Sequence, residues 1–373
     1  MRATRSLRRR LGFAALATVL GTLLIGLIAE TIGQLHGRRH PVRDVLAWEA
    51  DRELGWKLVP GLRFTWAGLE GWYAREFEVD VEVNAHGFRD LPRELARPQG
   101  VTRVALLGDS FLEALQVPLE ETCARRLEAK VLARRPGVEV LNLGVSSHGL
   151  GQALLARETV ARRFGAGWVA VLVTELTLSR TPRGEEAGGF TDGRALEVRP
   201  WFSRDGDRLV RHPARDTARL AEVQAALLQG PFRGERSRVR PAGWFLPDRL
   251  RDAWEDLTRE EEPASPIPAI DEETWWVNRL VLIELARGAR AEGVRVLAVD
   301  GLTHINPGAE VVSEHLRGLC AEEGIIHVDA SAALRAADAR GLTTRWRRDS
   351  HWTPAGHEAV AEAIDEALRR AGL

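Results

Sequence analysis

The stretch RVALLGDSF, residues 103–111, reads as a buried strand that breaks at a turn and passes into a helix. Arg103 to Leu107 is a short apolar run without alternation, the pattern of a strand covered on both faces. Four similar runs follow: VEVLNL (Val138 to Leu143), WVAVLVT (Trp168 to Thr174), VRVLAV (Val294 to Val299) and IIHVD (Ile325 to Asp329). Helical periodicity separates them over Cys123 to Ala133, Gly151 to Phe164, Thr274 to Glu292 and Val311 to Glu323. It returns from Gly356 to Ala371, where Val360, Ile364 and Leu368 repeat every fourth residue. Strand, loop and helix in repetition predict an α/β domain over residues 101–373, a doubly wound, five-stranded parallel sheet.

Two regions depart from that rhythm. Between the third and fourth strands, an insertion at about residues 179–271 holds a predicted hairpin, PWFSRDGDRLV, turning at Asp205-Gly206. It continues through a predicted helix near Thr217 to Gln229 into an Arg-, Pro- and Trp-rich passage, placed where it can roof a site. Ahead of the domain, residues 30–100 form a β-rich lead-in with one clear alternation, Glu76 to Asn84. There Phe77, Val79, Val81 and Val83 share one face.

At the N-terminus, Arg2, Arg5, Arg8, Arg9 and Arg10 precede an uncharged run, residues 11–29, long enough to cross a bilayer as one helix. A cleaved signal peptide is the competing reading, but no A-x-A-like site follows before Glu30. The expectation is a cytoplasmic basic tail at 1–10, a transmembrane anchor at 11–29, and a catalytic portion facing the periplasm or cell exterior. With 52 Lys plus Arg against 53 Asp plus Glu, the net charge of -1 gives no reason to expect a nucleic acid partner. Two cysteines, Cys123 and Cys320, have no metal-ligand spacing and read as free core thiols or a single bridge.

Ligands of open α/β sheets sit beyond the C-terminal strand ends, so residues just after each strand belong together. Ser110 follows the first strand, Gly144 to Gly149 the second, Thr174 and Glu175 the third and Asp300 to His304 the fourth; a loop reaching Asp349-Ser350-His351 follows the fifth. A serine nucleophile needs a base, and the base an orienting partner. Ser110, His351 and Asp349 supply the three types. In an extended segment, Asp349 and His351 project to one side, so the carboxylate reaches one ring nitrogen and leaves the other for Ser110. Donors for a developing oxyanion are available from the Ser110 N–H and from the loop NLGVSSHG, residues 142–149. The bland readings stand beside these: Ser350 capping a local turn, His148 and His304 as loop hydrogen-bonders, His327 as core. Trp201, Trp244, Trp275, Trp276 and Trp352 read as core or as platforms for sugar rings.

Taken together, the motifs resemble those of the SGNH/GDSL hydrolases, in their bacterial membrane-anchored form. VALLGDSF is similar to that family's first block, NLGVSSHG to its second and RRDSHWTPAGHEAVAEAI to its last. DRELGWKLVPG followed by VNAHGFRD is similar to the lead-in of anchored members. The resemblance implies a flavodoxin-like three-layer fold and cofactor-free, metal-free ester chemistry, with Ser110 as nucleophile, His351 as base and Asp349 as its partner. It also implies that Gly144 and Ser147 lie at the oxyanion site, Ser147 where a glycine is usual. The Asn expected after the third strand is missing, which leaves Thr174 or Thr177 to stand in. The one-residue spacing in DSHW is similar to the alginate O-acetyltransferase-like branch.

Three functions follow as expectations: a membrane-anchored serine esterase acting on acyl esters of a glycan or lipid, O-acetyl transfer to an envelope polysaccharide, or a catalytically weak glycan-binding protein.

Overall fold

The structure, a computed structural model, describes residues 13–14, 16–28, 30–31, 42–44, 47–67, 76–182, 199–213, 236–238, 270–347 and 349–373. Two compact units divide the chain. The first comprises Met1–Val45, Gly71–Ala74 and Glu235–Glu262. Within it, Val42–Asp44 pairs antiparallel with Arg236–Arg238, and residues 16–28 are helical with Leu16, Val19, Leu23 and Leu27 exposed. Among the described residues no helix is long and apolar enough to cross a membrane. The spanning helix expected at 11–29 is therefore not found there, its residues 11, 12, 15 and 29 lying outside the described set.

The second unit, Leu46–Glu70, Arg75–Gly234 and Pro263–Leu373, holds the five predicted strands. They are β1 (Thr102–Leu107), β2 (Val138–Asn142), β3 (Trp168–Val173), β4 (Arg295–Asp300) and β5 (Ile326–Asp329). All neighbours are parallel, in the order β5-β4-β3-β1-β2. That is the flavodoxin-like order, and its switch point lies between β1 and β3, where the chain leaves β1 first for one side and then for the other. Buried strands with no polar face suit this position, because helices cover both sides. Val104, Leu106, Val140, Ala170, Leu172, Leu297 and Val299 pack against helices Cys123–Leu132, Ala330–Ala339 and Pro354–Arg370. Helices Leu150–Ala156, Glu272–Ala291 and Glu310–Glu323 pack against one another as a separate group, with Glu272–Ala291 and Glu310–Glu323 both contacting β4.

The predicted helix from Gly151 to Phe164 is interrupted. Leu150–Ala156 is α-helical and Arg157–Ala161 forms a π turn. The final helix carries Gly356 in its first turn because the Thr344 carbonyl comes so close that a Cβ there would lie 2.2 Å from it. His357 follows for a reason of its own: its Nδ1 accepts the Cys123 N–H (3.2 Å), and full burial pulls its pKa down to about 3, keeping the ring neutral as an acceptor. Cys123 and Cys320 are both buried and unbridged.

In the lead-in, Arg63–Ala67 pairs with Glu78–Glu82, and Val79 and Val81 are buried while Glu78, Asp80 and Glu82 are exposed. Trp48–Asp51 pairs with Gly55–Leu58. The hairpin of the insertion forms from Trp201–Asp205 and Arg208–His212. Its loop is Gly206-Asp207, one residue later than the sequence indicates, with Gly206 at φ +59°. The predicted helix near Thr217 to Gln229 and the passage after it lie outside the described residues.

Candidate active site

Asp109 starts the site, two residues past the end of β1. Its carboxylate accepts the Phe111 N–H at 3.2 Å and so caps a single helical turn, Ser110–Glu113, whose first residue is Ser110. The turn stops at Ala114, which adopts the left-handed conformation (φ +61°). Asn142, at the end of β2, clamps this turn in place by donating to the Leu112 carbonyl (2.7 Å) and accepting the Gly144 N–H (3.2 Å).

His351 reaches Ser110 from the far end of the chain. Its Nε2 lies 2.7 Å from Ser110 Oγ, and its Nδ1 lies 2.5 Å from Asp349 Oδ1. A ring that donates from Nδ1 to the carboxylate leaves the Nε2 lone pair for the serine hydroxyl. The segment carrying both residues is a turn, where an extended segment was expected from the spacing. Ser350 sits at φ +71° and its N–H donates to the Trp346 carbonyl, while the Trp346 N–H returns to His351 O at 2.9 Å. Reversing the chain within these few residues requires the left-handed residue, and the reversal lets one Asp349 oxygen accept from both the ring and the His351 N–H (3.3 Å). Phe111 packs on His351 (ring centroids 4.9 Å) and on Trp352 (5.0 Å), and Glu76 of the lead-in accepts the Asp349 N–H at 3.0 Å.

The loop after β2 completes the crevice. Val145 N–H donates to Gly108 O, which brings the loop alongside the start of the Ser110 turn. Gly144 is a point of close approach: a Cβ there would stand 2.6 Å from the Glu113 nitrogen. Its own N–H is taken by Asn142, so an oxyanion donor must come from elsewhere in the loop. Ser147 sits at φ +61°, and neither its N–H nor that of Ser110 has an acceptor among the described residues. Ala114, Ser147 and Ser350 are the non-glycine residues with positive φ among the described residues, and all three flank Ser110 in the fold. Such backbone costs about 1–3 kcal/mol apiece, and it is held where surrounding structure enforces it.

Sequence reasoning missed what enforces it here. Glu113, fully buried one turn after Ser110, accepts the Trp48 indole N–H (3.1 Å), the Ser146 hydroxyl and the Ser146 N–H. Trp56 donates its indole N–H to Ser146 O at 2.9 Å. Ser146 is thus held on both sides by residues that composition alone files as core aromatics and a helical Glu. The available signal was position, since Glu113 lies three residues past the serine on the same turn.

Burial pushes the Glu113 carboxyl up to about 7, only partly offset by the Ser146 and Trp48 hydrogen bonds and by Arg89. A carboxyl held more firmly protonated in the folded chain contributes most below its ordinary value of 4.5, and that contribution is lost as pH rises toward 7. The melting temperature of Glu113→Gln relative to the parent is therefore expected to rise between pH 5 and pH 8. A difference that shrinks over that interval contradicts the assignment.

Thr174 and Thr177 are occupied. Thr174 N–H donates to Thr177 Oγ1 (2.9 Å) and Thr177 N–H to Thr174 Oγ1 (3.2 Å), a reciprocal cap on helix Glu175–Arg180. Thr174 is wholly buried. The same helix ends in Arg180, whose guanidinium pairs with Asp109 Oδ2 at 3.1 Å, next to the serine. His148 is buried with Nε2 3.0 Å from Trp56 O, and burial pulls its pKa down to about 3. His304 bonds Asp338 (3.1 Å) and Thr344, and His327 bonds Asp300 (3.1 Å). Trp352 is buried, which leaves it no face for a sugar ring, while the partly buried Trp201 stacks one face on His212 at 3.6 Å; Trp244 lies outside the described residues. Among the described residues no cluster of His, Cys, Asp and Glu could hold a metal ion.

No curated protein matches the chain. Solved structures similar to it include TesA (14% identity, covering 72% of this chain and 99% of that one, TM-score 0.40). Another is LAE5, an alpha/beta hydrolase enzyme from the metagenome of Lake Arreo, Spain (13%, 72% and 95%, TM-score 0.40). A third is Axe2, an acetylxylan esterase from Geobacillus stearothermophilus (12%, 74% and 96%, TM-score 0.40). The family model described as "SGNH hydrolase-like domain, acetyltransferase AlgX" matches residues 312–373, the part of the chain that carries Asp349 and His351, and there the chain is similar to that SGNH hydrolase-like family.

Proposed function

We propose that this chain is a serine enzyme that cleaves acyl esters, O-acetyl groups foremost, on a glycan or lipid. The observation that supports it most is the continuous hydrogen-bonded line from Ser110 Oγ through His351 to Asp349, set at the switch point of a parallel sheet. In this reading His351 Nε2 takes the Ser110 proton as Oγ attacks the ester carbonyl. The Ser110 and Ser147 N–H groups receive the oxyanion. His351 then protonates the departing sugar or lipid oxygen, leaving the acyl group on Ser110. Water, activated by the same ring, releases it.

A second reading is O-acetyl transfer, in which a polysaccharide hydroxyl replaces water in the last step. It is favoured by the family match over residues 312–373, whose description names an acetyltransferase. Tethering by the apolar run at 11–29 would place either activity at a membrane surface, with the catalytic unit in the periplasm or outside the cell. The full chain, incubated with an acetylated chromogenic ester with and without a glycan acceptor, is expected to release acetate in a Ser110-dependent manner. Acceptor-dependent acetyl-sugar product selects the transferase. Wild type and Ser110→Ala that cannot be told apart in this assay would overturn the serine-enzyme reading.

A further inference from the structure

Arg199, inside the inserted segment just ahead of its hairpin, is 4% exposed, and its Nε and Nη1 have no hydrogen-bond partner among the described residues. Its guanidinium carbon lies 5.1 Å from the centre of the Trp56 ring, an attraction that replaces only a fraction of lost hydration. Among the described residues no carboxylate pairs with it. The charged group that reaches it is Arg180, which is itself matched by Asp109. The neighbouring His148 is neutral, and Asp51 is engaged by Lys57 at 3.5 Å and by the N–H groups of Glu53 and Leu54. Burial, with Arg180 adding to it, pulls the Arg199 pKa down to about 9, which still leaves it charged at neutral pH. Among the described residues the local count is thus two guanidiniums, one carboxylate and one uncompensated positive charge.

That charge sits next to the machinery. The Trp56 indole that faces Arg199 also donates to Ser146 O, one residue before Ser147. Arg180 pairs with the residue immediately before Ser110. Phe202 N–H donates to Thr181 O (3.1 Å), pinning the chain just after Arg199 to the residue that follows Arg180. A buried, unpaired cation is expensive, and removing its partner is the usual way to create that cost. Among the described residues no anion fills that partner's place.

We propose that Arg199, with Arg180, forms an anion subsite beside Ser110 that takes one negatively charged oxyanion group, a carboxylate or phosphate ester, on the molecule bearing the acyl ester. This deepens the acyl-ester reading and rests on it, naming an acidic substrate. One positive charge in excess fits a single anionic group, and the flat guanidinium suits the planar or trigonal oxygens of either.

The test is equilibrium binding to full-length Ser110→Ala protein, which needs no turnover. Trigalacturonate, its carboxyl-reduced neutral counterpart and galactose 6-phosphate serve as probes. The expected result is at least tenfold tighter binding of the trigalacturonate or the phosphate sugar than of the neutral trisaccharide, with the preferred acid identifying the source of the charge. Adding Arg199→Gln should bring that preference to within twofold. A preference near one with Arg199 present, or a preference that survives its replacement, overturns the proposal. Because the substitution removes an unpaired buried charge, Arg199→Gln and Arg199→Met should melt no lower than their parent; a marked drop in both overturns the premise that the charge is unmatched. Absence of Ser110-dependent acetate release from a neutral chromogenic ester would instead defeat the acyl-ester reading, independently of these affinities.

Discussion

Ser110→Ala is expected to lower ester turnover by about 10⁴- to 10⁶-fold, the scale seen when the nucleophile of such a triad is removed. The hydroxyl is the atom that the rest of the site addresses: His351 Nε2 stands 2.7 Å from it, and Asp349 fixes the ring from behind. His351→Ala should fall to a similar floor, and the double variant should be no worse than either single one, because the residues act as one unit. Initial rates of acetate release on the full chain measure all three. Losses that multiply in the double variant would mean that Ser110 and His351 do not share a step.

The second large effect is expected for Glu113→Ala. Truncation leaves the Trp48 indole N–H and both Ser146 donors buried without their acceptor, at about 1–3 kcal/mol for each unsatisfied group. It also frees the loop that presents the Ser147 N–H. Loss of one oxyanion donor costs about 10²- to 10³-fold in kcat, so kcat should drop on that scale while KM moves little. Glu113→Gln, which keeps an acceptor for Trp48, should recover a good part of the rate. A Glu113→Ala protein that is folded and retains wild-type kcat would show that the loop keeps its shape without this carboxylate.

The sheet was legible because its strands are buried on both faces. Val104 to Leu107 and Val169 to Val173 need no polar side, so a continuous apolar run marks each strand to within a residue of its observed end. Ser110, Asp349 and His351 were legible as types at strand exits. Their geometry was not, since nothing in the letters Asp-Ser-His announces that Ser350 takes φ +71°. Glu113, Arg180 and Glu76 escaped notice for a different reason. Their partners, Ser146, Asp109 and Asp349, lie 33, 71 and 273 residues away, and only the fold brings such pairs together. Trp48 and Trp56 were readable as buried rings, yet their N–H groups are what tie the lead-in to the Ser110–Glu113 turn and to the loop after β2 respectively. The lead-in is therefore part of the site's construction. The threonines proposed to replace the missing Asn turned out to bond each other, a use that no spacing rule separates from substrate contact.

The central claim, that Ser110 is a nucleophile activated by His351, is tested most directly by covalent capture. The full chain is treated with a fluorophosphonate and digested, and the modified peptide is identified by mass. A single adduct on Ser110, absent from Ser110→Ala and formed at least 100-fold more slowly in His351→Ala, is the predicted result. An unmodified Ser110 in the folded protein, or equal labelling with and without His351, would contradict it.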